Sequence, residues 1–365
     1  MLRCADCGRT DDHRWRCHCG GPLDFADSAV PEGQAPDPAS FDTRDGLWSF
    51  ADFLPVAREV SLGEGLTPLV SASDWDAQFK LEYVFPTGSF KDRGATTTLS
   101  RAVAVGADRV VEDSSGNAGA AIATYAARAG LPADIYVPAD AKASKLRAIE
   151  RAGATAIRVE GDRQAVTDAC IAAVEGESRA AGDERVYYAS HAWDPAFYAG
   201  TATMAYEIAL QRDWSVPDAV VCPLGHGTLF LGAYRGFRAL REAGWIDRVP
   251  RLLGVQAEGY APIAETLHPV ESAAGDSNDR ADGIQIRQPA RREQLLDAVD
   301  ATDGDVVALG SEAVETELDR LHRAGFYTEP TCAVAPAGLR EYRERGVLSA
   351  EDDVVVPLTG SGLKN

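Results

Sequence analysis

The chain of 365 residues lacks any apolar run long enough to cross a bilayer, and Met1-Leu2-Arg3-Cys4 is not followed by the apolar core of a signal peptide. A cytoplasmic protein with no membrane partner is the expectation. Positive charge is also short. Thirty-six basic residues stand against 56 acidic ones, a formal charge of −20 that opposes nucleic acid as a partner. Lysine is scarce, with only Lys80, Lys91, Lys142, Lys145 and Lys364. The acidic excess is scattered, as in Asp11-Asp12 and Glu351-Asp352-Asp353, and such a surface suits high salt, where self-repulsion is screened. A halophilic source is therefore expected. Aromatic residues make up only 8%, but 45% apolar residues suffice for alanine- and valine-rich packing in two medium domains. Outside the N-terminal segment cysteine is sparse: Cys170, Cys222 and Cys332 sit in apolar or small-residue settings and read as buried small hydrophobes.

The other four cysteines fall within the first nineteen residues. Cys4-x2-Cys7 and Cys17-x-Cys19-Gly20-Gly21 have the form of two zinc-ribbon knuckles, in which four thiolates surround one metal. The second knuckle is one residue short of the usual spacing, a change that strains the turn or recruits His13 or His18. From Asp24 to about Asp45 the chain is rich in Pro, Asp, Ser and Ala without periodicity, as in a linker or wrapping arm. Leu47-Trp48-Ser49-Phe50 to Phe53-Leu54-Pro55 reads as a docking segment, and Phe79-Lys80-Leu81-Glu82-Tyr83 as a strand.

Beyond residue 100 short β-branched runs alternate with alanine-rich helical stretches. Arg109–Glu112, Ala133–Pro138, Thr155–Val159 and 186–189 are the strands of one block; Asp218–Pro223, Leu252–Gln256 and Val354–Leu358 restart the pattern. Such alternation implies parallel pairing. The expected division is a segment at 1–26, an arm at 27–65, a larger domain of 66–100 with 200–365, and a smaller one at 101–199. Two open α/β domains facing each other would place ligands outside the carboxyl ends of strands.

Three glycine-bearing turns carry the chemistry. Pro86-Thr87-Gly88-Ser89-Phe90-Lys91-Asp92-Arg93-Gly94 holds one lysine between a turn and a helix start, where a deprotonated amine can form a Schiff base with an aldehyde. Ser114-Ser115-Gly116-Asn117-Ala118-Gly119 follows a strand and opens a helix, so its amides suit an anion such as a carboxylate, although an ordinary helix cap has the same form. In Gly225-His226-Gly227-Thr228-Leu229 two glycines let amides converge on a phosphate. The alternative there is a plain helix-opening turn, and His226 either donates to phosphate or points to solvent.

These stretches, with Glu329-Pro330-Thr331 and the terminal Leu358-Thr359-Gly360-Ser361-Gly362-Leu363-Lys364, occur in the order found in the threonine synthase family. The chain resembles that family, of the fold type II enzymes that use pyridoxal 5'-phosphate, over nearly its whole length. The resemblance implies two open parallel-sheet domains of the tryptophan synthase beta-like kind, with a small structural zinc-ribbon-like segment, remote from the chemistry, at Cys4, Cys7, Cys17 and Cys19. It implies that Lys91 is the catalytic, cofactor-bearing lysine and that Asn117 meets the cofactor's ring oxygen. Ser114, Ser115, Gly116 and Asn117 would hold the substrate carboxylate, Gly225, His226, Gly227, Thr228 and Leu229 the phosphate, and Thr359 the pyridine nitrogen. A homo-oligomer such as a dimer, acting on a small amino-acid substrate, goes with it. The chain departs from the family pattern in the glycine turn, where His226 and Thr228 replace a commoner asparagine- and glycine-rich version, and in the tail, with Ser361 where the family usually has His and Asn365 where it has Asp.

The implied reaction converts O-phosphohomoserine and water to threonine and phosphate. A serine or threonine dehydratase, or another enzyme of β-elimination or replacement, is the alternative, because Ala281-Asp282-Gly283-Ile284 resembles the dehydratase segment. The two differ in groups for a substrate phosphate, sought among Thr87, Ser89, Lys145, Arg147 and Arg287. A non-catalytic protein using its ribbon to bind a partner is the third reading, opposed by intact Lys91, Asn117 and Thr359.

Overall fold

The computed structural model describes the chain except His13, Ser28, residues 178–184 and 270–276, and Asn365. Strands β1 (Leu2–Cys4), β2 (Thr10–Asp11) and β3 (Leu23–Phe25) form a small antiparallel sheet in the order β2-β1-β3. Next come β4 (Leu69–Ala72), β5 (Ala77–Lys80) and helix α1 (Lys91–Ala104). A first alternation follows: β6 (Arg109–Glu112), α2 (Asn117–Ala129), β7 (Ala133–Pro138), α3 (Ala143–Arg151), β8 (Thr155–Val159), α4 (Arg163–Glu177), β9 (Val186–Tyr188) and α5 (Pro195–Leu210). The second comprises β10 (Ala219–Pro223), α6 (Thr228–Glu242), β11 (Arg251–Ala257), α7 (Ala264–Leu267), α8 (Arg292–Ala301), β12 (Asp305–Leu309), α9 (Ser311–Arg323), α10 (Pro330–Glu344) and β13 (Val354–Pro357). No helix among the described residues is long and apolar enough to cross a membrane.

The chain groups into two units: Met1–Ala29, Arg44–Gly65 and Lys91–Thr201 in the first, Val30–Thr43, Leu66–Phe90 and Ala202–Asn365 in the second. Residues 91–100 thus group with the four-stranded sheet, whereas sequence reading sets them with the larger one. The reason is packing, since α1 buries Ala95, Leu99 and Ala102 in the same cluster as Val110, Ile135 and Phe197.

The sheet of the first unit runs β8-β7-β6-β9, all parallel, as the alternation of strands and helices predicts. In β7 the residues alternate between buried and half-buried, so Ala133, Ile135 and Val137 point to one core. Ile135 is fully buried, and its truncation to alanine costs about 2–5 kcal/mol.

In the second unit the order is β12-β11-β10-β13-β5-β4, parallel except for the β4–β5 pair. Every residue of β10 and β13 is buried, the sign of a parallel sheet covered on both faces. Strand β5 stops at Lys80, short of the expected Tyr83. Leu81 turns away there, its amide donating to Pro68 O at 2.9 Å, while buried Glu82 accepts the Thr67 hydroxyl at 2.6 Å. Lys80 itself is fully buried and spends its three donors on Thr67 O (2.6 Å), Glu207 (2.7 Å) and Gln211 (2.9 Å). The expected arm also has anchors. Trp214 Nε1 donates to Pro36 O at 2.7 Å and Trp245 Nε1 to Gly33 O at 3.2 Å, which ties 30–43 to the second unit.

Candidate active site

In the first unit Lys91 is half-buried at the start of α1, its Nζ 5.8 Å from the centre of the Phe197 ring. Small residues let that ring in: a Cβ on Gly94 would lie 2.2 Å from Phe197 Cδ1, and one on Gly200 1.9 Å from the Arg93 carbonyl. The next residue, Asp92, is fully buried, and the Tyr125 hydroxyl lies 3.3 Å from its carboxylate and 3.1 Å from that of Glu64. Trp48 Nε1 donates to the other Glu64 oxygen at 3.0 Å. This buried polar cluster holds the first turn of α1 in place.

The Ser114–Asn117 turn connects β6 to α2. Gly116 caps the helix without a side-chain hydrogen bond, its amide donating to Ser114 Oγ at 3.3 Å, and Ser115 Oγ has no hydrogen-bond partner among the described residues. A Cβ on Gly119 would sit 1.8 Å from Ser114 O, so only glycine allows this return of the helix onto its own turn.

Two residues missed from the sequence flank this turn. Glu112, at the end of β6, is fully buried and its Oε1 lies 2.6 Å from His191 Nδ1. Burial pushes its carboxyl well above the usual range, Asp113 adds to the rise, and Arg163, the His191 amide and Lys91 oppose it. Glu112 thus lies within electrostatic reach of Lys91. The pair is 79 residues apart, in what reads as an ordinary strand and an ordinary loop. The available signal is a Glu-Asp dipeptide ending a strand directly before a serine turn.

In the second unit the glycine turn leads from β10 into α6. Gly227 caps α6 in the left-handed region at φ 76°, and a Cβ there would lie 2.3 Å from Leu295 Cδ2. Thr228 and Leu229 are buried in the first turn, and His226 is half-buried. No side chain caps the helix, so its first amides suit an anion. Gly225 abuts Ile284, and Gly283 N donates to Thr331 Oγ1 at 3.1 Å, which joins Ala281–Ile284 to both the glycine turn and Glu329-Pro330-Thr331.

Thr359 follows β13 and is buried. Its amide donates to Cys332 Sγ at 3.1 Å and its carbonyl accepts from Phe90 N at 3.1 Å, while its hydroxyl has no partner among the described residues. Burial pushes the Cys332 thiol up to about 12, so it stays neutral. Ser361 N donates to Gly88 O at 2.9 Å, and a Cβ on Gly360 would overlap the Glu329 carboxylate. Asn365 lies outside the described residues.

Of the phosphate candidates, Ser89 is fully buried, Arg147 is exposed on α3, and Arg287 is exposed with its guanidinium 4.5 Å from the centre of the Tyr260 ring. Lys145, on α3, and Thr87, in the turn ahead of α1, are both half-buried.

In the N-terminal segment Cys4, Cys7, Cys17 and Cys19 converge, with all four sulfurs within 4.8 Å of one another. Cys4 and Cys19 are 3.5 Å apart, as are Cys7 and Cys17. A tetrahedral zinc site with bonds of about 2.3 Å needs sulfurs about 3.8 Å apart, so the set fits the metal. The shortened knuckle closes without His18, and His13 lies outside the described residues.

Residues 60–360 match the model of the family described as pyridoxal-phosphate dependent enzyme. The chain is 30% identical to the threonine synthase of Methanocaldococcus jannaschii over its whole length and 93% of that protein. To the threonine synthase of Methanosarcina acetivorans it is 31% identical, over its whole length and 92% of that protein. Among solved structures, the processed form of threonine deaminase isoform 2 from Solanum lycopersicum superposes with a TM-score of 0.68 at 19% identity, covering 97% of this chain and 94% of that one. Maize serine racemase gives 0.65 at 21% identity, covering 81% and 88%. At such identities the likeness speaks for the fold.

Proposed function

Since the chain belongs to the pyridoxal-phosphate-dependent enzymes, in the threonine synthase family, we propose that it converts O-phosphohomoserine and water to threonine and phosphate. The residues fit the cofactor. A glycine cradle that a Cβ would fill, an unpartnered hydroxyl on Thr359 and an amine at the head of α1 supply donors of the right chemistry. Lys91 would carry the cofactor, Asn117 its ring oxygen, Gly225, His226, Gly227, Thr228 and Leu229 its phosphate, and Thr359 its ring nitrogen. When bound, the cofactor supplies an aldehyde for an amine and a ring that withdraws electrons from the adjoining carbon.

Lys91 Nζ would take a proton from the substrate and return it at a neighbouring carbon. Ser114, Ser115 and the Gly116 and Asn117 amides would hold the substrate carboxylate. Thr359 offers a neutral hydroxyl, which does not keep a ring nitrogen protonated as a carboxylate would; that choice favours elimination and replacement over transamination. The observation that carries the reading is the unpartnered hydroxyl of Thr359, in a chain that also keeps Lys91 and Asn117 and matches threonine synthases end to end.

The second reading, a serine or threonine dehydratase, draws on Ala281–Ile284 and its seat against Gly225 and Thr331. The test is a panel of O-phosphohomoserine, L-serine and L-threonine, assayed for phosphate, ammonia and 2-oxo acid. Phosphate with threonine supports the first reading; ammonia with 2-oxo acid from serine or threonine replaces it by the second. Zinc at the four cysteines, a homo-oligomer, a cytoplasmic location, a high-salt source and, apart from residues 91–100, the domain division read from sequence belong to the same proposal. Metal analysis and folding in dilute against molar salt check the first and fourth.

A further inference from the structure

Trp15 lies between the two cysteine knuckles, yet its ring packs away from them. It meets Tyr188 at 5.2 Å and Trp193 at 5.3 Å, both edge to face at 85°, within the cluster built on Val111, Cys170 and Val174. The neighbouring Arg16 guanidinium lies 4.4 Å from the centre of the Trp15 ring and pairs with Glu175 of α4 at 2.9 Å, which fixes the indole from the other side.

Both aromatic partners lead to the residues just ahead of the serine turn. The Tyr188 hydroxyl donates to Asp113 Oδ1 at 3.0 Å, and the other oxygen of buried Asp113 accepts from Thr167 at 2.6 Å and Arg163 at 3.2 Å. Asp113 immediately precedes Ser114. Trp193 is two residues beyond His191, which holds Glu112. One indole therefore clamps the two elements that fix the acidic pair from which the Ser114–Asn117 turn departs.

We propose that Trp15 is a positioning residue for the Ser114–Asn117 turn, so that the N-terminal segment sets the geometry that receives the substrate carboxylate. This rests on the reading of that turn as the carboxylate site, and it departs from the expectation that the segment is remote from the chemistry. Loss of the indole frees Tyr188 and the 190–193 loop to shift, and displacements on the order of 1 Å in a substrate-positioning turn cost up to about 10²-fold in rate.

The experiment uses the full chain loaded with cofactor, and L-threonine as the probe, because it is a product in one functional reading and a substrate in the other. Its apparent affinity is read from the change in cofactor absorbance, and backbone hydrogen exchange is followed across the chain. Trp15→Ala is expected to weaken L-threonine about tenfold, speed exchange at 113–119 selectively and leave the unliganded cofactor band in place; Trp15→Phe restores most of the affinity. Tyr188→Phe, which keeps the ring but loses the bond to Asp113, gives a second route to the same loss should Trp15→Ala fail to fold. Unchanged affinity in Tyr188→Phe and Trp15→Ala, beside a clear loss in Ser115→Ala, overturns the positioning role alone. No loss in Ser115→Ala removes the carboxylate reading and the proposal with it.

Discussion

Phe90 and Thr359 share a backbone hydrogen bond of 3.1 Å, from the amide of the first to the carbonyl of the second. The residue before the candidate catalytic lysine is thereby tied to the residue proposed for the ring nitrogen. A change at either end of this bond should register at the other.

Lys91→Ala should lower turnover by about 10³-fold or more, since positioned proton transfer alone is worth roughly 10²–10⁴. The fold should survive, because Lys91 is half-buried and alanine has a high helix propensity. Borohydride reduction and peptide mapping check the assignment, and cofactor labelling at Lys80 would refute it. That outcome runs against the chemistry of Lys80, whose amine is buried and held by three acceptors.

Gly227→Ala should weaken cofactor affinity and cost about 2 kcal/mol or more of stability, from a left-handed φ and from overlap with Leu295. Cofactor titration and urea unfolding measure the two. Unchanged affinity would move the phosphate cradle elsewhere.

Replacing Thr359 with Asp puts a carboxylate where a neutral hydroxyl stood. The share of transamination should rise, seen as aminated cofactor accumulating during turnover. An unaltered product ratio and spectrum would show that Thr359 does not govern the ring nitrogen.

Glu112 gives a pH prediction of definite sign. Its folded pKa lies above the ordinary 4.5, so its contribution is fully present below that value and is lost as pH rises toward the raised one. Relative to Glu112→Gln, the wild-type protein should therefore lose stability above about pH 4.5, by at most about 1.4 kcal/mol per pH unit. Urea unfolding from pH 4 to 8 at fixed salt gives the two curves, and parallel curves would sink the assignment.

The parts that were legible in the sequence are those written in contiguous residues. The strand–helix alternation implies the parallel sheets, and the candidates Lys91, Ser114–Asn117, Gly225–Leu229 and Thr359 stand in short motifs, two of which turn on a glycine that the backbone requires, Gly119 and Gly227. Glu112 with His191, and Trp15 with Tyr188, were not legible, because each pair meets only once the sheet has formed and neither partner is unusual alone. Strand β12 is not among the strands read from the sequence. Its Val306-Val307-Ala308-Leu309 is a short apolar run between two glycines, which is as strong a signal as β6 carries.

The place of β13 in its sheet, between β10 and β5, has a consequence for synthesis on the ribosome. Strands β10, β11 and β12 can pair with one another as they emerge. The β4–β5 hairpin, made much earlier, has no seat until Val354–Pro357 appears, and the nascent polypeptide must keep that hairpin's open edge from other chains in the meantime. The Thr359 carbonyl that accepts from Phe90 N follows β13, so the turn between β5 and α1 gains that bond only after β13 has been made.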